Sequence, residues 1–397
     1  MFKRLTVLIS TGLPGLIRLL VFLVVETEYN LIDFGHFASD LSLVQLISFF
    51  TAISWAALVM TTVTQSEQPE RALFKVMNTG VVYLLLFCLI PFVLYKLDII
   101  KDSLGTICFI VGWMFYQISR HYIITKKEFT RIIIFDSLNL LLFIIVLFLG
   151  VTPLIALTLS HLTFVVFNLP KLKHYSLSLV TIEQQLNGLK NGLSTFLLGL
   201  GVYSLPVIFG LVLGAEYSVL MGLSTSLLIM IQLVPRSISA YFLPTISKTL
   251  LSDKTFALKM HRQQVFYTII STALLSALGI IFVYFVYKLA IFEVVLIDGA
   301  LSLIFLLLFN IVITVLAFPF SDLLMSHGNF KVNLTGSFIY SLVVTAALIL
   351  FLIYGDNTLH ATLLMVAYSF SGCMRFLYVF HNARKLLFIG KSELLNA

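Results

Sequence analysis

The sequence predicts an all-α polytopic membrane protein, with about twelve transmembrane helices arranged as two six-helix bundles. Of the 397 residues, 60% are hydrophobic and only 11% are charged, whereas a soluble domain carries about a quarter charged residues. The mean hydropathy of +1.06 agrees with this composition. A water-solvated fold could not bury so much apolar surface, so we expect the chain to be solvated by lipid.

Twelve apolar runs of membrane-spanning length follow one another along the chain, each bounded by charges or turn residues. The first run follows Lys3 and Arg4 without a small-residue cleavage site, so we interpret it as an uncleaved helix and not as a signal peptide. The runs lie near 5–25, 37–62, 76–95, 104–124, 132–150, 154–170, 191–213, 219–235, 265–287, 299–320, 334–354 and 361–380.

The chain is expected to divide between the sixth and the seventh run. Residues 1–175 would form an N-terminal six-helix bundle, 176–190 a cytoplasmic linker, and 191–397 a C-terminal six-helix bundle. Each half begins with a similar pattern, because "DFGHF" at 33–37 and "EYSVL" at 216–220 align at an offset of 183. Two related six-helix halves are a common plan among transporters.

The basic residues predict the orientation of the helices. With a cytoplasmic N-terminus, the outer connections contain only Lys96, Lys101 and Lys288, against nineteen basic residues in the inner connections. This positive-inside bias places both termini in the cytoplasm. It also explains the net charge of +7 without a nucleic-acid partner, because basic loops face an anionic leaflet. The inner residues are Lys3, Arg4, Arg71, Lys75, Lys126, Lys127, Arg131, Lys171, Lys173, Lys190, Arg236, Lys248, Lys254, Lys259, Arg262, Lys331, Arg384, Lys385 and Lys391.

The sequence lacks the motifs of metal sites, P-loop nucleotide binding and polysaccharide polymerases. The three cysteines lie inside apolar runs without metal-ligand spacing, so we expect neither a metal site nor a cofactor. No P-loop is present. The outer connections are too short to hold the catalytic carboxylates or arginines of a polysaccharide polymerase. We therefore expect no catalytic residues, and a transport cycle driven by a gradient or by the substrate's own downhill movement.

Arg18 is the most unusual residue of the first run. It lies in "TGLPGLIRLL" (residues 11–20), where a guanidinium in hydrocarbon costs roughly 2.5–3.5 kcal/mol. Gly12 and Gly15 would let a neighbouring helix approach, and Pro14 would kink the helix and turn Arg18 toward a polar interior. The alternatives are an arginine that snorkels outward, or one that pairs with a single carboxylate for stability.

Two polar positions of the second run could interact with Arg18. His36 and Asp40 share a helix face one turn apart, and Asp40 is the nearest candidate in sequence for a partner of Arg18. The alternative is an interfacial polar end of a helix. Gln45 lies deeper on the same run, is uncharged, and could simply bond a neighbouring helix.

The polar residues of the fourth, fifth and sixth runs can be interpreted as structural or as functional. Arg120 closes the fourth run and Asp136 opens the fifth, so an ion pair that locks this hairpin is expected. His161, at the middle of the sixth run, is either a buried histidine hydrogen-bonded to a neighbour or a group that titrates and couples a proton.

The intramembrane charge is mostly cationic, because Arg18, Arg120 and Arg375 outnumber the in-span carboxylates Asp40 and Asp136. Such a cavity favours an anion, and guanidinium suits a phosphate by bidentate bonding. A cavity for a cationic drug or for Na⁺ would instead need a deep uncompensated carboxylate. Arg375 could alternatively snorkel to the headgroups. Asn310 is interpreted as a contact between helices, and Asp322 as a solvated loop or helix-end residue.

Five stretches, spread over most of the chain, carry a family resemblance: "GLPGLIRLLVF", "DFGHFASDLSL", "LGAEYSVLMGLSTSL", "YFLPTISKTLLSDKTFALKMHRQ" and "LLMSHGNFKVNLTGSFIYSLVV". Together they resemble the Wzx-type polysaccharide or O-antigen flippases of the multidrug/oligosaccharidyl-lipid/polysaccharide (MOP) exporter superfamily. The resemblance implies a V-shaped pair of six-helix bundles around a cationic cavity, with alternating access. The implied location is the bacterial inner membrane.

The resemblance also implies a substrate and partners. The substrate would be an undecaprenyl-pyrophosphate-linked oligosaccharide, flipped from the cytoplasmic to the periplasmic leaflet. Arg18 matches the family's recurrent first-helix arginine and would bind the pyrophosphate. The seventh run has no charge, so Arg236 and Arg375 are the candidates for a counterpart in the second bundle. Membrane lipids, a polysaccharide polymerase and chain-length proteins would be partners.

The residues predicted to bind substrate are Arg18, His36, Asp40, Arg120, His161, Arg236 and Arg375. Those predicted to couple an ion are Asp40, Asp136 and His161. The main rival function is that of a cation-coupled multidrug antiporter of the same superfamily, which should carry an essential deep carboxylate. A membrane enzyme acting on polyprenyl sugars and a non-transporting scaffold in glycan assembly are two further possibilities.

Overall fold

The structure of the protein is a computed structural model, which describes residues 2–63, 66–170, 175–249, 253–289, 293–327 and 329–395. Within these ranges every regular element is helical, which confirms the predicted all-α class. Lys171 and Lys173, counted above among the inner basic residues, lie outside the described residues.

Fifteen α-helices are present in the described chain, and three of them continue a preceding helix after a short irregularity, so that twelve rods result. The irregularities are a π-helical turn at Phe49–Ile53 and single non-helical residues at Cys88 and Ala317. The helices are α1 (Phe2–Glu28), α2 (Leu31–Ser48), α3 (Ser54–Thr62), α4 (Pro69–Phe87), α5 (Leu89–Lys96), α6 (Ser103–Thr125), α7 (Phe129–Phe148), α8 (Pro153–Asn168), α9 (Ile182–Leu213), α10 (Ala215–Thr249), α11 (Lys254–Lys288), α12 (Ala300–Leu316), α13 (Phe318–Ser326), α14 (Phe330–Tyr354) and α15 (Thr358–Leu395).

The rods correspond in number and order to the twelve apolar runs. In the described part of the chain, nine of them are long and apolar enough to cross a membrane, and Pro153–Asn168 is apolar but shorter. On α11 most of the apolar surface is exposed, as for Leu274, Leu278 and Phe285. Exposed apolar side chains over such a length are stable in lipid and not in water. The chain is a multi-pass membrane protein.

Several helices extend beyond the apolar runs that predicted them. α9 begins at Ile182, inside the predicted linker, where Thr181 and Gln184 form a reciprocal capping box. This cap satisfies free backbone N–H groups at the helix start, so the helix forms before the chain becomes apolar. α10 likewise continues to Thr249, past the predicted end near residue 235. Hydropathy marks the membrane-buried part of a helix and not its polar extensions.

The helices pack into two compact units, Met1–Gly222 and Leu223–Ala397. In the first unit, α6 packs against α8 and α3, α2 against α9, and α1 against α7. In the second unit, α15 packs against α12, α13 and α14, and one apolar cluster includes Phe242, Ile246, Leu323 and Val379. The predicted division at residues 176–190 stays a prediction.

The two copies of the pattern that align at an offset of 183 contact each other within the first unit. The Ser218 hydroxyl donates to the Gly35 carbonyl oxygen at 3.0 Å, and these two residues occupy equivalent positions of the pattern. A Cβ atom on Gly35 would lie 2.6 Å from the Ala215 Cβ and 2.8 Å from its Cα. Glycine at position 35 is therefore required by the close approach of two helix backbones.

The substitution Gly35→Ala is expected to lower the thermal stability of the purified protein in detergent. The added methyl group meets the backbone of Ala215, which cannot move without shifting α10, and overpacking of this kind costs about 1–3 kcal/mol. The matched control is Gly279→Ala, where the new Cβ meets only the flexible side chain of Ile231 at 3.1 Å. Both variants gain the same helix propensity, so an equal change in Tm would show that the close approach is not constraining.

Candidate functional site

Arg18 is on α1, and its side chain contacts α2 and α9 of the first unit. Its Nη1 donates a hydrogen bond to Oε1 of Gln45 on α2. Its guanidinium carbon lies 5.4 Å from the ring centroid of Tyr203 on α9 and 5.9 Å from that of Phe22 on α1. The Nε and Nη2 atoms are buried without a hydrogen-bond partner. Arg18 is therefore a cation held by one amide and two aromatic rings, with N–H groups available to a ligand.

Asp40, the candidate partner nearest to Arg18 in the sequence, forms its hydrogen bond elsewhere, and Gln45 is the residue that binds Arg18. Asp40 is only 1% exposed, and its Oδ2 accepts a hydrogen bond from the backbone N–H of Asp102 at 3.0 Å, at the start of α6. Asp40 and Gln45 are five residues apart, which places them about 140° apart around a helix. Because Asp40 faces α6 and Gln45 faces α1, the uncharged residue is the partner. No carboxylate of the described chain forms an ion pair with Arg18.

The predicted ion pair between Arg120 and Asp136 is confirmed. The Arg120 Nε donates to Asp136 Oδ2 at 3.2 Å, and the Tyr116 hydroxyl donates to the other carboxylate oxygen at 2.7 Å. The Arg120 Nη2 donates to the backbone carbonyl of Ser10 on α1. This network joins α6, α7 and α1, and its charges compensate each other. Arg120 therefore lacks the uncompensated charge that distinguishes Arg18.

His161, on α8, is buried against aromatic side chains of α6. Its Nδ1 lies 2.5 Å from the carbonyl oxygen of Leu157, one turn earlier on the same helix. The ring packs edge-on against Tyr116, with centroids 4.4 Å apart, and contacts Trp113 at 5.3 Å. The surroundings are those of the packed histidine that was one of the two predicted roles. His36 is half-buried on α2, one turn before Asp40.

The two arginine candidates of the second unit differ in burial. Arg375 on α15 is 5% exposed, and its Nε is buried without a hydrogen-bond partner. Arg236 is exposed on α10, donates to Gln232 Oε1 at 2.7 Å, and lies 5.9 Å from the Phe318 ring. Of the two, Arg375 is the buried cation.

Asp322 is not the solvated residue that the sequence suggested. It is 5% exposed, and its Oδ2 accepts hydrogen bonds from the Ser239 hydroxyl and from Gln264 Nε2, the latter at 2.5 Å. The expectation failed because α13 continues the α12 rod past Ala317 and carries Asp322 between α10 and α11. The interpretation of Asn310 as a contact between helices is confirmed, since its Nδ2 donates to the Tyr368 carbonyl at 2.7 Å.

Among the described residues, no three His, Cys, Asp or Glu side chains are grouped so that they could hold a metal ion. The side chains gathered at Arg18 are instead suited to an anion. Guanidinium N–H groups form charge-assisted hydrogen bonds to phosphate or carboxylate oxygens, and the adjoining rings keep the guanidinium plane in place.

No protein-family model matches the chain, and no curated protein sequence matches it. Several solved structures, in contrast, are similar to the chain. A multidrug resistance MATE family transporter of the MOP superfamily, in an inward-facing conformation, superposes with a TM-score of 0.68 and 10% identity, over 97% of this chain and 98% of the other. The lipid II flippase MurJ, in an inward closed conformation, gives 0.61 and 15% identity over 95% and 87%.

A third solved structure is a MOP superfamily transporter from Pyrococcus furiosus, with a TM-score of 0.57 and 12% identity over 96% of this chain and 94% of the other. At such low identities the likeness establishes the fold alone. It covers nearly the whole of each chain, so it concerns the complete set of helices and not one shared motif. The protein has the fold of MATE-type and MurJ-type transporters of the MOP superfamily.

Proposed function

We propose that the protein is a lipid-linked oligosaccharide flippase, which moves undecaprenyl-pyrophosphate-linked glycan units from the cytoplasmic to the periplasmic leaflet by alternating access. The observation that carries the proposal is Arg18, a cation with buried, unused N–H groups and without a carboxylate partner among the described residues. The likeness to the MurJ lipid II flippase supports a lipid-linked substrate. The structurally similar proteins are transporters or flippases, which favours a function without catalysis.

The geometry at Arg18 suits a pyrophosphate. Gln45 occupies Nη1, which leaves Nε and Nη2 free to donate side by side to two oxygens of one phosphate group. A buried guanidinium is costly in the empty site, and a bound anion removes that cost. The site therefore discriminates in favour of an anionic headgroup over the neutral lipids that surround it.

Arg375 is the proposed counterpart of Arg18 in the second half of the chain. Its Nε, like that of Arg18, is buried and unpartnered, and it forms no ion pair within the described residues. In this proposal the two predicted bundles, 1–175 and 191–397, rock during the transport cycle, and the sugar crosses in the cavity while the polyprenyl tail stays in lipid. The protein would lie in the bacterial inner membrane with both termini in the cytoplasm. A polysaccharide polymerase and chain-length proteins would be its partners.

The second candidate function is a cation-coupled multidrug antiporter. One observation favours it. Asp322 is buried, and it has no cationic partner among the described residues. An antiporter of this kind needs such a deep carboxylate. The MATE family transporter compared above is a multidrug resistance protein. This function would bind an organic cation and would have no use for the uncompensated charge of Arg18.

Deletion and overexpression distinguish the two functions. For a flippase, deletion in the native bacterium should cause lipid-linked oligosaccharide to accumulate on the inner leaflet, and the plasmid-borne gene should reverse this. Overexpression should leave resistance to cationic dyes unchanged. Dye resistance without any change in lipid-linked oligosaccharide would instead establish the antiporter and overturn the proposal.

A further inference from the structure

Residues 175–181, which we call the strap, lie along α4 within the first unit. None of the seven residues is helical. The Asn78 Nδ2 donates to the Ser176 carbonyl oxygen at 2.5 Å, and the Val180 N–H donates to the Thr79 hydroxyl oxygen at 3.1 Å. A segment without helical hydrogen bonds depends on such contacts for its position. The strap is therefore held by α4, and its side chains have fixed neighbours.

A cavity of about 700 Å³ lies between the strap, the beginning of α4 and the end of α3. Of its twelve lining residues, only Ala72 and Val180 are apolar. The volume is typical of small-molecule sites, which are mostly apolar, so a lining of this composition indicates a polar ligand. The basic residues predict that this end of the unit faces the cytoplasm.

Two cations of α4 line the cavity one helical turn apart. The Arg71 Nη1 donates to Gln68 Oε1 at 2.9 Å, and neither Arg71 nor Lys75 forms an ion pair within the described residues. Like charges at this spacing repel each other. Glu67, the one carboxylate among the lining residues, is exposed and pairs with neither cation. An anion bound between the two cations would replace repulsion with attraction.

The hydroxyl groups of the cavity have unused protons. Those of Ser66 and Thr181 each accept a backbone N–H, at 3.1 and 3.3 Å, and donate to no acceptor among the described residues. The Thr62 hydroxyl is buried without a partner. The Ser176 and Ser178 hydroxyls lie 2.8 Å apart, so one proton serves this pair and the other is free. The lining therefore offers more donors than acceptors, which the positive-inside bias does not explain.

We propose that this cavity is a phosphate-binding site, in which Arg71 and Lys75 bind a phosphate group and the hydroxyls of the strap donate to its oxygens. Phosphate oxygens only accept hydrogen bonds, and a guanidinium binds two of them as a fork while an ammonium binds as a point charge. The phosphate belongs either to an anionic phospholipid headgroup or to a soluble phosphate compound. The site does not include Arg18, so it does not depend on the proposed glycan function.

Hydrogen exchange of the full-length protein in nanodiscs, measured by mass spectrometry, tests the site locally. The readout is the exchange rate of peptides that cover residues 175–185. In phosphatidylcholine nanodiscs, inorganic pyrophosphate is titrated, and at ten times its Kd it should slow exchange about tenfold if the site takes soluble phosphate. If the site takes a lipid headgroup, phosphatidylglycerol nanodiscs should give such protection without added pyrophosphate.

Four variants test which residues cause the protection. Arg71→Gln/Lys75→Gln should abolish it, and Lys75→Arg should retain it because the positive charge remains. Arg131→Gln, a matched control on α7, should leave it unchanged. Arg18→Ala should also leave it unchanged, which separates this site from the one proposed for the glycan.

Protection under either condition that is lost in Arg71→Gln/Lys75→Gln establishes the site, and the condition identifies the source of the phosphate. Absence of protection under both conditions overturns the proposal, as does equal protection in that double variant. Loss of protection in Arg18→Ala would also overturn it, because the anion would then act from Arg18. Thermal unfolding checks that the double variant is folded. If it is not, Lys75→Gln alone decides, with binding weakened about tenfold or more.

Discussion

The substitution Arg18→Ala is expected to abolish the glycan translocation proposed for this protein, while the protein still inserts into the membrane at normal amounts. A hydrogen bond to a charged group contributes about 1.5–3 kcal/mol, so the loss of two such bonds from Nε and Nη2 weakens binding on the order of a hundredfold or more. Complementation of a deletion strain measures the loss, with export of the glycan and accumulation of its lipid-linked precursor as readouts.

Three variants give this prediction its controls. Arg18→Lys should retain only a minor part of the activity, because an ammonium group binds phosphate as a point charge and not as a fork. Gln45→Glu should inactivate the protein as well, since a carboxylate beside Arg18 would occupy the guanidinium. Arg131→Ala removes a half-buried arginine that pairs with Glu128 at 3.0 Å and should have no effect. Wild-type complementation by Arg18→Ala would refute the role assigned to Arg18.

Removal of one partner of the Arg120–Asp136 pair should destabilise the protein more than any other single charge deletion. In Asp136→Ala the guanidinium of Arg120 stays buried without its carboxylate, and the Tyr116 hydroxyl loses its acceptor. Breaking a buried ion pair in this way costs about 3–5 kcal/mol. The expected result is a lower Tm in detergent and a lower yield of monodisperse protein.

The double variant Arg120→Met/Asp136→Leu distinguishes the ion pair from simple loss of packing. It removes both charges and keeps apolar side chains of similar size, so it should recover a large part of the stability that Asp136→Ala loses. Glu128→Ala is the control, because it breaks the half-buried Arg131–Glu128 pair, and ion pairs near the surface contribute about 0–1 kcal/mol. A double variant as unstable as Asp136→Ala would show that the charges are not what holds the hairpin.

The predictions that succeeded rest on local properties of the chain. Twelve apolar runs predicted twelve rods, because crossing hydrocarbon imposes a minimum apolar length on each segment by itself. The Arg120–Asp136 pair was predictable because the short connection between α6 and α7 keeps the two residues close. The capping box at Thr181 and Gln184 was also present in the sequence, but apolar runs alone placed the start of α9 too late.

The sequence by itself determined the fold class, the number and order of the helices, and the presence of a costly arginine in the first of them. Only the tertiary structure decided that Gln45 and not Asp40 holds Arg18, that Tyr203 of α9 covers it, and that Asp322 is buried against α10 and α11. The physical reason is the rotation of each helix about its axis. In a membrane protein most helices are apolar on every face, so the hydrophobic pattern does not indicate which face turns inward. That rotation is fixed by close packing and by hydrogen bonds between helices, and these form only when all the helices are in place.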